Sequence, residues 1–311
     1  MVLQKVSFKG LSWVDVENPT VDDVQVLGRE YPFHHLNLDD CLSVRQLPKL
    51  EEHDSHIFLL FHIPEYPKDE PSIRKSQVSI FMGKTYLVTL HEKAVTRLGA
   101  LFRSCTDDEN TKSSMMRSPG HLLHNVLDVL VDGMYPALDH IEDDLEKIED
   151  RVFDQKVSVA VELSRLRRVI ADGRRIVSPL RRLLPDLSAK VGDYTSENLL
   201  KYYRDVHDHV EKAWEVLEQD KETIEIFKDT DFILSTELTN RVLAVLTVVF
   251  TLTIPPTVVG AIYGMNIPLP GGLATGPYTF LGTFTTFALL MGLSVAAAVG
   301  MGLWFRREGW L

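Results

Sequence analysis

The chain has 311 residues, of which 25% are charged, and a formal net charge of −11. A length of that order admits about two domains of ordinary size. The acidic balance excludes a nucleic-acid binder, which needs a clustered excess of Lys and Arg to neutralise phosphates, and is better matched to cations.

The charge is unevenly spread. Between Arg241 and Arg306 there is no Asp, Glu, Lys or Arg, and a water-soluble surface cannot be built from such a stretch. Cys41 and Cys105 lie far apart without a CxxC spacing, which suggests neither a disulfide framework nor a zinc knuckle and reads as reduced thiols in a cytoplasmic domain. The first residues, MVLQKVSFKG, lack the apolar core of a signal peptide.

Over the first hundred or so residues the apolar pattern is short and alternating. Val6–Trp13, His56–Tyr66 and Gln77–Glu92 read as strands, the last as a hairpin turning at Met82-Gly83-Lys84. Thr20–Tyr31 and Lys93–Ser104 read as helices between them. From Pro119 the period becomes helical. Met134, Leu138, Ile141, Leu145, Ile148 and Val152 step by four and three with acids between, the spacing of a helix packed along another. Glu162–Leu184 predicts a second, basic helix with arginines placed to face those acids, ended by Pro185-Asp186. A third run starts near Ser196 and contains no Pro or Gly until Pro255; Tyr203, Val206, Val210, Ala213, Leu217, Ile224, Phe227 and Leu234 are its apolar members. One helix from Ser196 through Gly264 would be roughly 100 Å long at 1.5 Å per residue. Two helices broken near Asp229-Thr230-Asp231 are the alternative.

Val242–Tyr263 and Tyr278–Phe305 are uncharged and each long enough to span the hydrocarbon core, which takes about 20 residues. The loop between them, Asn266–Pro277, holds neither Lys nor Arg, whereas Arg241, Arg306 and Arg307 flank the outer ends. The positive-inside rule therefore puts both termini in the cytoplasm and the loop outside. In the first span Asn240, Leu243, Thr247, Thr251, Ile254 and Thr257 recur at helical spacing, with Leu246 beside them. The simple reading of any one of these threonines is a bond back to its own helix. As a set they offer oxygens to a hydrated ion, and Leu243 and Leu246 offer apolar constrictions that gate by dewetting. One such helix encloses no pore, so conduction requires several subunits.

Tyr263-Gly264-Met265-Asn266 at the end of the first span, followed by one short loop and one last span with a basic flank, resembles the signature of the CorA family of Mg²⁺ transport proteins. Tyr203-Arg204-Asp205-Val206, Asn240, Val245-Leu246-Thr247, Pro255 and the closing Trp310-Leu311 extend the similarity from about residue 120 onward. The resemblance implies a funnel-shaped homopentamer in the inner or plasma membrane, with Gly264, Met265 and Asn266 at the outer mouth and Mg²⁺ as the transported ion, Co²⁺ and Ni²⁺ alongside it. It also implies closure by cytoplasmic divalent ions, for which Asp205 and Asp229 are the candidate ligands, Asp205 with a partner in the N-terminal part. Either acid can also be read as simply solvated. The expected fold is α+β. A cytoplasmic α/β domain (1–118) precedes a helical cytoplasmic domain with a stalk helix (119–240), the pore-lining span (241–265), the external loop (266–277), the second span (278–305) and a basic cytoplasmic tail (306–311).

Two further clusters are set aside as metal sites. His34, His35, Asp39, Asp40 and Cys41 have no regular ligand spacing and read as a hydrated loop, and His207 and His209, two apart, point to different faces of a helix. The stretch Ile267–Pro277 contains no acid, unlike many CorA relatives, whose acid shortly after the motif suits concentrating cations at the mouth, and so the resemblance does not extend to the capture step. A Zn²⁺ transporter of the ZntB branch with proton coupling is the rival within the family, and a non-conducting membrane scaffold the rival outside it. No nucleophile–base arrangement, Gly-rich phosphate loop or HExxH points to an enzyme.

Overall fold

The computed structural model describes residues 3–43, 46–67, 72–154, 157–265, 267, 269 and 285–309. The chain forms two compact units, Met1–Asp229 and Thr230–Leu311.

The first unit opens with strands β1 (Leu3–Phe8) and β2 (Leu11–Glu17). The single segment expected at Val6–Trp13 is in fact a hairpin, because Lys9 (φ 47°) and Gly10 (φ 88°) both take the left-handed conformation of a tight turn. Helices α1 (Val21–Glu30) and α2 (His35–Leu42) follow, then β3 (Lys49–Glu52), β4 (His56–Glu65), β5 (Arg74–Gly83) and β6 (Tyr86–His91). The sheet order is β1-β2-β6-β5-β4-β3, with β2 and β6 parallel and the other pairs antiparallel.

Alternation gives the sheet two apolar faces. Val14, Val16, Phe58, Leu60, Phe81 and Val88 pack on Val24, Leu27 and Leu38 of α1 and α2. Trp13, Ile57, Leu59, Phe61, Val78, Ile80 and Leu87 face the helices that follow in sequence. The parallel pair is pinned by buried polar groups: Trp13 Nε1 donates to Thr89 Oγ1 at 3.1 Å, and the Thr89 hydroxyl donates to Asp15 at 2.5 Å. Asp15, 5% exposed, accepts from Thr89 and lies 3.3 Å from His91 Nε2, contacts that offset the cost of burying a carboxylate.

The helices are α3 (Thr96–Asp107), α4 (Glu109–Met115), α5 (Pro119–Asp132), α6 (Tyr135–Val152), α7 (Ala160–Lys190) and α8 (Leu200–Tyr263). Ser118 caps α5 and Pro119 occupies its first turn, the arrangement that suits a missing N–H. Pro185 does not end α7. It and Pro179 lie inside the helix, which continues to Lys190. Each proline removes one backbone bond, and the buried Leu184 and Leu187 on either side of Pro185 hold the turn by packing.

The arginines of α7 also differ from expectation, since three of them face α8 rather than the acids of α6. Arg167 meets Glu225 at 3.0 Å, Arg174 meets Glu218 and Arg181 meets Glu211 at 2.7 Å. The pairs recur every seven residues along both helices in antiparallel register, and the Arg174 and Arg181 guanidinium groups lie 5.0 and 4.7 Å from the Trp214 ring centroid. Half-exposed pairs of this kind contribute less than about 1 kcal/mol each; their regular spacing fixes register. Gly173 permits the close approach, because a Cβ there would lie 3.2 Å from Leu217 and Ile73 side-chain atoms.

Helix α8 runs unbroken through Asp229-Thr230-Asp231 for 64 residues, so the two-helix alternative is not what forms. In the second unit its later part accompanies α9 (Thr285–Arg307), with Tyr263 and Phe287 rings 4.9 Å apart. Residues 278–284 of the expected second span lie outside the described residues. Both Cys41 and Cys105 are free and buried.

Leu217, fully buried against Gly173, is expected to cost about 2–5 kcal/mol when truncated to alanine, whereas Val161→Ala at an exposed α7 position stays within about 0.5 kcal/mol. Urea unfolding of the solubilised chain reads the difference.

Candidate cation pathway and metal centre

The seven candidate pathway residues all lie on α8 within the second unit. At 100° per residue, Asn240, Leu243, Thr247, Thr251, Ile254 and Thr257 share one stripe, with Leu246 on its flank. Leu243, Leu246 and Ile254 are about half exposed (53%, 48% and 55%), and only 6% of the most apolar window of this helix is buried. A single chain thus leaves the stripe without cover.

The threonine hydroxyls donate to the carbonyls one turn back: Thr247 to Leu243 at 2.8 Å, Thr251 to Thr247 at 2.7 Å and Thr257 to Thr253 at 2.7 Å. That simple reading of the sequence holds, and it has a chemical consequence. With the proton committed to the backbone, each hydroxyl presents only lone pairs outward. Pro255 and Pro256, both inside the helix, leave the Thr251 and Leu252 carbonyls without their usual amide donors. The stripe therefore displays oxygen acceptors, the groups that suit water held by a cation.

The helix ends at Tyr263, where the Gly264 amide donates to the Gly260 carbonyl (2.9 Å) and the Met265 amide to that of Ile262 (3.2 Å). Asn266 lies outside the described residues, as does most of the loop after it.

In the first unit, α5 and α8 bring ligating groups together. Asp128, Asp132 and His209 place one ligand atom each within 4.8 Å of one another. His209 Nδ1 is 3.6 Å from Asp132 and 3.9 Å from Asp128; it is buried and makes no hydrogen bond among the described residues. His124, Asp128 and Asp132 follow one another at i, i+4, i+8 on α5, and Asp205 and His209 at i, i+4 on α8, so each set shares a face. Burial, and after it the Asp132 charge, raises the Asp128 carboxyl above its usual range. Burial lowers His124, against the pull of Asp128 and Asp205. Two crowded carboxylates and an unpartnered imidazole nitrogen form a fitting donor set for a divalent ion, and the nitrogen favours Co²⁺, Ni²⁺ or Zn²⁺ over Mg²⁺.

Asp205 is exposed at the edge of this group, while Asp229 is exposed beside Lys228 at 3.8 Å and joins no such cluster among the described residues. His207 and His209 do point apart, but His209 meets two acids from another helix. The four-residue spacing in His124-Asn125-Val126-Leu127-Asp128 and in Asp132 was the available sequence signal. The segment set aside at His34–Cys41 is helical, not a hydrated loop. His34 caps α2, Asp40 meets Lys49 at 2.6 Å, and the buried Cys41 thiol donates to the Asn37 carbonyl at 3.1 Å.

Residues 8–307 match the family model described as CorA-like Mg2+ transporter protein. The chain belongs to the CorA family. It is 26% identical over 304 residues to the cobalt/magnesium transport protein CorA of Thermotoga maritima, covering 96% of this chain and 83% of that one. The complete structure of the CorA magnesium transporter from Methanocaldococcus jannaschii has the same fold, with a TM-score of 0.78 at 24% identity over 99% of this chain and 95% of that one. The zinc transport protein ZntB of Pectobacterium atrosepticum is 20% identical over 234 residues, 75% of this chain and 68% of that one. CorA proteins are divalent-cation transporters and not an enzyme family, and membership of that family together with two helices long and apolar enough to cross a bilayer makes this chain a membrane protein.

Ni²⁺ is expected to raise the melting temperature of the solubilised full-length chain, by the equivalent of about 2.7 kcal/mol at a hundredfold excess over its Kd. His209→Ala should remove most of that shift while leaving the ion-free melting temperature nearly unchanged. An undiminished shift in the variant would contradict the centre.

Proposed function

We propose that the chain is one subunit of a homopentameric, funnel-shaped channel that admits hydrated divalent cations, Mg²⁺ foremost and Co²⁺ and Ni²⁺ with it, through the inner or plasma membrane. The observation that carries this is the α8 stripe, where threonine hydroxyls already bonded to the backbone expose acceptor oxygens on a face that one chain leaves bare. Five such faces around an axis give stacked rings. Mg²⁺ dehydrates reluctantly and keeps several waters when bound, so a neutral ring of Asn266 side chains above threonine oxygens accepts hydrogen bonds from those waters without stripping them. Leu243 and Leu246 supply the dewetting constriction.

The arginines flanking the spans support cytoplasmic termini by the positive-inside rule. A divalent ion entering there gains about 4.6 kcal/mol per 100 mV, twice the single-charge value. Cytoplasmic divalent ions are assigned a closing role through Asp205 together with Asp128, Asp132 and His209; Asp229 is kept as a weaker candidate. This replaces the partner sought for Asp205 in the N-terminal domain.

A second reading, Zn²⁺ transport coupled to protons, is favoured by the acid-free loop Ile267–Pro277 and by the zinc transport protein among the relatives. Mg²⁺ entry into dye-loaded proteoliposomes at fixed membrane potential separates the two. Channel function predicts potential-driven Mg²⁺ entry that Asn266→Ala reduces at least about tenfold, a barrier change of about 1.4 kcal/mol. Zn²⁺ entry that requires a proton gradient would replace it with the second reading, and no flux of either ion would sink both.

A further inference from the structure

Along the first half of α8 the buried residues fall at 203, 206, 210, 213, 217, 220, 224 and 227, alternating steps of three and four. Seven of these are apolar and form the seam against the neighbouring helices; the eighth is Asp220, 5% exposed. Its Oδ2 is buried and has no hydrogen-bond partner among the described residues. A polar group at a seam position normally finds a partner, because an unpaired buried charge is strongly disfavoured.

Among the described residues the surrounding charges do not supply one. The charged group that acts on Asp220 from α6 is another acid, Glu142. Helix α6 runs beside α8, the Tyr135 hydroxyl donating to the His209 carbonyl at 3.0 Å, about two turns before Glu142 on α6 and about three before Asp220 on α8. On α7, Arg174 is engaged by Glu218 and Trp214, and Arg167 by Glu225. On α8 itself, Lys221 is turned to Glu218 at 3.7 Å. A carboxyl so placed retains a proton rather than a charge.

We propose that Asp220 is a proton-binding site in the seam between α6 and α8, closed when the carboxyl is protonated and opened when it ionises against Glu142. Burial first and Glu142 second push this carboxyl up to about 7, so it titrates across the physiological range. The folded chain holds a proton that an unfolded or opened segment releases near pH ~4. Stability from this group is therefore complete below about pH 4 and is lost as the pH rises towards 7, leaving the seam weakest on the alkaline side. The Asn, Thr and Leu residues of the proposed pathway have no titrating groups in this range, so Asp220 gives the chain a proton sensitivity that its pathway lacks. The inference rests on the packing of the helices and not on which ion is carried.

Hydrogen exchange of the solubilised full-length chain at pH 6 and pH 8, corrected for intrinsic exchange chemistry, tests it in peptides covering 138–146 and 217–224. Wild type is expected to lose protection in these segments by about tenfold across that interval, the ratio set by a group that titrates at about 7 when closed and near ~4 when open. Asp220→Asn and Asp220→Leu should each flatten the response, and Glu142→Gln should move its midpoint to lower pH. A wild-type profile without pH dependence, or an undiminished loss of protection in both Asp220 variants, would overturn the proposal.

Discussion

Helix α8 must satisfy two solvents along one uninterrupted backbone. From Tyr203 to Phe227 it buries a narrow stripe against other helices and turns glutamates towards the arginines of α7. From Val242 to Tyr263 it is uncharged on every face, which only hydrocarbon or further copies of the same chain accommodate. The first demand fixes how α5, α6 and α7 pack. The second obliges the chain to live in a membrane, and the exposed threonine stripe on that part gives a reason to assemble. His209 of the metal centre and Asn240 of the stripe thus belong to the same helix.

The division of chemistry along α8 is also a division of charge. Where ions are proposed to pass, the side chains are neutral oxygens and leucines, suited to a cation that travels with its water and must leave again. Where ions are proposed to be sensed, carboxylates are crowded together with an imidazole, a set that holds its ion. Asp220 is a third kind of position, a buried carboxyl whose Oδ2 has no hydrogen-bond partner among the described residues, for which the small ligand available is a proton.

Much of this architecture was legible in the residues. Alternating apolar runs marked every strand but the short β3, heptad spacing marked α6 and the start of α8, and the charge-free stretch marked the spans. What failed was local or non-local in identifiable ways. Lys9-Gly10 concealed a hairpin because only Gly10 is an evident turn residue. Pro185 suggested a stop, yet buried leucines on either side carry α7 across it. Distance in sequence hid the metal centre, since His209 meets Asp132 only once α5 and α8 are packed together. In the sequence Asp220 is one acid among many on its helix, and only its place in the seam sets it apart.

The most direct test of divalent conduction is the reversal potential of the reconstituted protein in a planar bilayer under a Mg²⁺ gradient at equal pH on both sides. A channel predicts current that reverses near the Mg²⁺ equilibrium potential and falls when Mg²⁺ is raised on the cytoplasmic face. Absence of current, or a current that appears only with a pH gradient, would contradict it.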